Sequence, residues 1–317
     1  MAGGGTVIYP KITSPGVYDL PMAVYRGQPC DGLSISSSDA QIITDATPAH
    51  LQASWAEDAE EEGSKESDLG TLIHAMLLEP HRAEKQIVVI DAKDWKKPSD
   101  QATRREAVAA GLLAVLPKHI KQAQGAVDAV MAHPVASALL SEGQAEQSWF
   151  AKDAATGLWL KARLDFWNTA RRIIVDIKTV GSASPGFLQR RVYDGGWFMQ
   201  APWYCDVVER VERRPAAGYA WIIVEQKPPH SVVVRMPDTN LLGHGNRLNQ
   251  QAIATIHRCV QTGQWPSWSE TISELSLPSF ALFKLEEEGV ASESNPKRGL
   301  EALAFYEASG GMAHPFS

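Results

Sequence analysis

Near residue 146 the apolar residues of this chain stop recurring at helical spacing and begin to alternate. A period of about 3.6 fits a helix buried on one face, and a period of about two fits a strand. Residues 146–152, 157–167 and 172–179 therefore read as three β-strands, separated by Ala154–Gly157 and Asn168–Arg171. Helical patterns lie on both sides. Upstream, Asp68 is expected to cap a helix with Leu69, Leu72, Ile73, Met76 and Leu77 on one face. Pro80 is expected to end it, with a polar connection and then a long helical stretch near 101–142, interrupted around Pro117 and Pro134. Downstream, 185–213 and 240–262 read as helices, with strands at 217–225 and 230–236 split by Pro228 and Pro229. This order predicts an α/β fold, a central mixed β-sheet flanked by helices.

The first 35 residues contain Pro10, Pro15, Pro21 and Pro29 and read as an irregular arm. Ser36 with Asp39 ahead of Ile42 and Ile43 resembles a capping box, and Thr47 with Pro48 marks a second helix start. One domain is expected over 36–280. Residues 281–317, with a weak helix near 299–307, read as a peripheral or mobile tail. Hydrophobic residues at 44% and charged residues at 21% suffice for a core and exclude a disordered, collagen-like or coiled-coil chain. No apolar run is long enough for a transmembrane helix, and the N-terminal residues lack the pattern of a secretory signal. Cys30, Cys205 and Cys259 are scattered and odd in number, which argues against disulfides and a cysteine metal cluster and for a reducing, cytoplasmic setting.

The formal charge of −7 predicts no global attraction to nucleic acid, but it is unevenly spread. Residues 51–70 hold seven acids against Lys65 alone and read as a solvated loop, whereas 151–200 hold eight basic residues against four aspartates. An anion is expected to bind in the second region. There Asp165 near the end of one strand and Asp176 in the next would meet across an antiparallel pair, with Lys178 on the face of Asp176. Two readings stay open at this point: a structural Asp–Lys pair, or a divalent cation on the carboxylates with Lys178 stabilising charge on a phosphate. His74, with Gly70 one turn before it leaving space above the ring, is a structural imidazole or a ligand; the other histidines read as incidental. Gln200 and Tyr204 share a helix face, which alone signals nothing. Glu146 is an extra acidic ligand or a surface residue, and the surface reading is preferred.

Taken together, GxxxH at Gly70–His74, RxD at Arg163–Asp165, DIK at Asp176–Lys178 and QxxxY at Gln200–Tyr204 resemble the RecB-like branch of the PD-(D/E)xK nuclease superfamily. The segments GVYDLPMAVYR, LSISSSDAQIITDATPAHLQ, LGTLIHAMLLEP, GLWLKARLDFW and WPSW are more closely similar to the RecE-type exodeoxyribonuclease VIII family of phages and prophages. That resemblance, over roughly residues 15–280, implies a restriction-endonuclease-like nuclease core. It implies metal ligation by His74, Asp165, Asp176 and the Ile177 carbonyl, a catalytic Lys178, and Gln200 and Tyr204 beside the active centre.

Hard oxygen ligands with one imidazole suit Mg²⁺, with Mn²⁺ as a substitute, better than zinc. Lys161, Arg163, Arg190 and Arg191 are expected to hold duplex phosphates. Trp167, Trp197 and Trp203 either stack on a frayed base or belong to the core, and the core is preferred. The activity implied is Mg²⁺-dependent 5′-to-3′ digestion of double-stranded DNA ends, leaving 3′ overhangs for recombination. A homo-oligomeric ring, such as a tetramer, and a RecT-like single-strand annealing recombinase as partner are implied with it. The alternatives are a structure- or site-specific endonuclease with the same centre, and a non-enzymatic DNA-end-binding protein.

Overall fold

The computed structural model describes residues 9–57, 68–269 and 275–287. The chain divides after Trp265 into two units. The first begins with β1 (Gly16–Tyr18), α1 (Met22–Arg26) and β2 (Ser34–Ile35), all inside the segment expected to be an irregular arm. Next come α2 (Ser37–Asp45), α3 (Pro48–Glu57) and α4 (Asp68–Leu78). The capping box forms: Ser36 Oγ accepts from the Asp39 amide, and the Ser36 amide donates to Asp39 Oδ2 at 2.6 Å. The acidic stretch 58–67 and the side chain of Asp68 lie outside the described residues, as does the weak helix near 299–307.

Pro80 does not lead into a polar connection. It is the first residue of α5 (Pro80–Gln86), because a proline lacks only the amide that a first helical turn leaves unused. Then follow β3 (Ile87–Val89), α6 (Pro98–Ala109), β4 (Leu113–Val115), α7 (Pro117–Ala132) and α8 (Pro134–Leu139). The prolines that interrupt the expected long helix each start a new one. β3 and β4 form a small parallel pair of their own.

The alternating region then gives β5 (Gly143–Lys152), β6 (Trp159–Asn168) and β7 (Ile173–Val180). After it come α9 (Pro185–Asp194), α10 (Trp197–Glu212), β8 (Gly218–Glu225), β9 (Val232–Arg235) and α11 (Thr239–Thr262). The main sheet has seven strands in the order β1-β5-β6-β7-β8-β9, with β2 also paired to β6. It is mixed: β5–β6, β6–β7 and β8–β9 run antiparallel, and β7–β8 and β2–β6 run parallel. The α9–α10 segment supplies the crossover that the parallel β7–β8 pair needs.

Helices cover both faces. On one face α2, α10 and α11 pack over Trp149, Leu160, Leu164, Ile174 and Ile223. On the other α4, α7 and α8 pack over Phe166, Val175, Ile177 and Ile222. Full burial of each large apolar side chain contributes about 1.5–3 kcal/mol, so the two layers fix the sheet between them. α10 and α11 cross closely at Gly245, where a β-carbon would sit 1.8 Å from the Phe198 carbonyl oxygen. Only glycine fits that approach. The second unit contains α12 (Ser279–Glu287).

Candidate metal centre

The site is made by a break in strand pairing. β6 pairs along its length with β5, but its other edge is divided. β7 pairs there only at Phe166–Asn168, and β2 only at Trp159 and Leu160. β7 meanwhile stays paired with β8 from end to end. β6 and β7 therefore splay apart one residue beyond the Phe166–Val175 pair, where Asp165 and Asp176 would have come next.

Splaying strips the Ile177 peptide of its ladder partners on that side, and a buried peptide needs replacements. Two side chains supply them. Asp165 Oδ2 accepts from the Ile177 amide at 2.7 Å. His74 on α4 donates from Nε2 to the Ile177 carbonyl at 3.0 Å. In the neutral ring this leaves the lone pair on Nδ1, which lies 3.8 Å from Asp165 Oδ2. Gly70 permits a close approach of another element: a β-carbon there would lie 3.0 Å from Thr179 Oγ1, so the glycine lets α4 approach β7.

Asp165 is half-buried. Burial first, and then the Asp176 carboxylate, push its pKa up to about 7. Asp176 is 1% exposed. Its oxygens stand 3.2 Å (Oδ1) and 2.9 Å (Oδ2) from Lys178 Nζ, but the second contact is an ion pair without an aligned hydrogen bond. Lys178 Nζ also donates to Gln200 Oε1 at 2.8 Å and lies 5.5 Å from the centroid of Trp197. One turn on from Gln200 along α10 lies buried Tyr204, whose phenol is held well above its ordinary pKa, chiefly by burial. The structure thus brings together His74, Asp165, Asp176, Ile177, Lys178, Gln200 and Tyr204.

Glu146 joins them, and it is not the surface residue that was preferred. It lies on β5 between Ala145 and Gln147, whose partners are Phe166 and Leu164, so it faces Asp165. Its φ of 52° is left-handed, a conformation that costs a β-carbon-bearing residue about 1–2 kcal/mol. One ligand atom each from His74, Glu146 and Asp165 lie within 4.8 Å of one another. An imidazole, two converging carboxylates and a third that is buried and under-bonded form a donor set that fits a hard divalent cation. No cysteine belongs to it.

The four residues expected to hold phosphates separate into two pairs. Lys161 is 4% exposed, and its ammonium donates to the carbonyls of Tyr25, Arg26 and Gly27 at 3.1, 3.2 and 2.9 Å. Arg163 is 8% exposed and is bonded to Glu146 at 2.7 Å, the Leu20 carbonyl at 2.8 Å and Ser148 at 2.9 Å. Both are internal cations, because the N-terminal segment covers their face of β6. Their expected role as duplex contacts is corrected. Arg190 and Arg191 are exposed on α9. Trp167, Trp197 and Trp203 are buried, as the core reading has it, and none is open to a base.

Comparisons with known proteins bear on the fold and the family. Comparison with curated proteins finds no match. Among solved structures, the chain is similar to a candidate exonuclease from Eubacterium rectale, with a TM-score of 0.56 at 11% identity, covering 84% of this chain and 98% of that one. A phage-related exonuclease from Haemophilus somnus 129PT matches at a TM-score of 0.28 and 10% identity, covering 55% of this chain and 92% of that one. Residues 36–277 match the profile of the PDDEXK-like domain of unknown function (DUF3799). The match reaches the PD-(D/E)xK superfamily and stops short of the narrower RecE type. That match covers most of the chain, including Asp165, Asp176 and Lys178 of the splayed strand pair, and the chain belongs to this PDDEXK-like domain family.

Proposed function

We propose that the protein is a divalent-metal-dependent exonuclease acting on the ends of double-stranded DNA. The observation that carries the proposal is the notch between β6 and β7, where His74, Glu146 and Asp165 converge beside the Asp176–Lys178 pair. Mg²⁺, or Mn²⁺ in its place, would be held by His74, Asp165 and Asp176, with the Ile177 carbonyl released to it from His74. When bound, the cation supplies charge stabilisation at phosphorus and lowers the pKa of an attacking water.

The chain's own groups do the remaining work. Asp176 and Gln200 hold the Lys178 ammonium from two sides, so its charge is fixed before a phosphate arrives. A preorganised cation costs little reorganisation when negative charge develops, and removal of one such donor typically costs about a hundredfold or more in rate. Tyr204, kept protonated by burial, lies one turn from Gln200 on α10. Arg190 and Arg191 supply exposed charge for the DNA backbone.

Resemblance to recombination exonucleases supports a 5′-to-3′ polarity, 3′ overhangs as product, a closed ring of subunits, and a single-strand annealing recombinase as working partner. Linear and covalently closed circular plasmid incubated with full-length protein and Mg²⁺ test the reading. Loss of the linear form alone is the expected result. Nicking or linearisation of the circle would make the protein an endonuclease, and a strictly monomeric mass at micromolar concentration would remove the ring.

A further inference from the structure

Glu146 lies in the notch but is not among the ligands that the nuclease resemblance implies, and its geometry is costly to maintain. A glutamate inside a strand ordinarily keeps an extended backbone, yet this one has a φ of 52°. The flanking pairs Ala145–Phe166 and Gln147–Leu164 keep their register, so the twist is local to the residue facing Asp165. It also changes which layer the strand serves: Ala145 packs with the α4–α7 side, whereas Trp149 and Ala151 pack with the α10–α11 side. A strained non-glycine position that persists in a well-paired strand points to a use for its side chain.

That side chain is placed with care. Arg163 Nε holds Oε2 at 2.7 Å, and Arg163 is anchored in turn on the Leu20 carbonyl and Ser148. The bond engages one oxygen, and the second oxygen of a carboxylate can still reach an ion. A ligand atom of Glu146 lies within 4.8 Å of ligand atoms of both His74 and Asp165, a spacing that one cation can span. The simplest rival is that Glu146 serves only to neutralise buried Arg163. A glutamate placed for that alone would have no reason to share the notch with a second carboxylate already crowded by a third.

We infer that Glu146 is a protein ligand of the divalent cation, with Arg163 holding its carboxylate in the notch. The inference rests on the nuclease reading for the presence of a cation, and extends it to a residue outside the recognised motif. The test needs no DNA. Full-length protein is titrated with Mn²⁺ alone, and free Mn²⁺ is followed by electron paramagnetic resonance, for wild type, Glu146→Gln, Glu146→Asp and Asp165→Asn. Thermal melts in chelator confirm that each variant is folded.

Glu146→Gln preserves shape and can still accept from Arg163, and it is expected to weaken Mn²⁺ binding about tenfold or more. Glu146→Asp tolerates the left-handed backbone well, so it should fold even if the glutamine variant does not. Its shorter arm is expected to give a smaller loss. If both variants bind Mn²⁺ as wild type does while Asp165→Asn loses it, Glu146 is no ligand and the nuclease reading stands. If wild-type protein binds no Mn²⁺ at millimolar concentration, both readings fall together.

Discussion

Lys161→Met removes a buried charge without emptying its site, and the structure sets what that should cost. The methionine keeps most of the stem against Tyr25, whose ring centroid lies 5.4 Å from the native ammonium. What disappears is a cation that satisfies three consecutive carbonyls at the end of α1, at 3.1, 3.2 and 2.9 Å. Bonds from a charged donor are worth about 1.5–3 kcal/mol each, but burying the ammonium itself costs several kcal/mol, and that cost goes with it. The net loss expected is about 3 kcal/mol. At about 2–4 °C per kcal/mol, melting should fall by about 6–12 °C. The assay is a thermal melt paired with duplex binding at several salt concentrations. Because the ammonium is internal, the salt slope should not move. Unchanged melting together with a slope reduced by about 0.9, the signature of one lost phosphate contact, would refute the reasoning.

Asp165→Ala, Asp176→Ala and Lys178→Ala should each lower DNA hydrolysis about a hundredfold or more while leaving the chain folded, and near-wild-type digestion by any one removes that residue from the mechanism. Arg190→Ala combined with Arg191→Ala should flatten the salt dependence of duplex affinity by up to about two contacts, with Mn²⁺ binding unchanged; a wild-type slope would send the DNA track elsewhere. Asp165 has a folded pKa of about 7, above its unfolded value, so the folded state holds the proton more tightly. Metal-free stability should therefore fall as pH rises from about 4 to about 7 and level off above. Asp165→Asn should lack that decline in chelator melts at pH values about 5 and 8, and parallel curves for variant and wild type would contradict the assignment.

The strands β5 to β9 and their sequence along the chain were legible because alternation is a local signal: Leu160, Ala162 and Leu164 alternate with Lys161, Arg163 and Asp165 whatever surrounds them. What covers the polar side of β6 was not legible. The segment between β1 and β2 lies over it: the carbonyls of Tyr25, Arg26 and Gly27 meet Lys161 and that of Leu20 meets Arg163, beside the apolar cluster of Ile12, Leu20, Cys30 and Trp159. A count of basic residues in a stretch cannot tell an internal cation from an external one. The splay at Asp165 and Asp176 was hidden for a similar reason, since Ile-Val-Asp-Ile reads as an unbroken strand whether or not its neighbour stays paired. Glu146 escaped because a left-handed φ at a glutamate leaves no mark on composition or period. Its position facing Asp165 could have been found from the hairpin register alone. β3 and β4 are three residues each, too short to show an alternation between proline-started helices.

The most direct test is linear duplex labelled at either the 5′ or the 3′ end, incubated with full-length protein with and without Mg²⁺, beside Asp176→Asn. The account predicts early release of the 5′ label as small products, a 3′ label that stays on long fragments, and no loss without Mg²⁺ or in the variant. Equal digestion in chelator, or an Asp176→Asn protein as active as wild type, would contradict it.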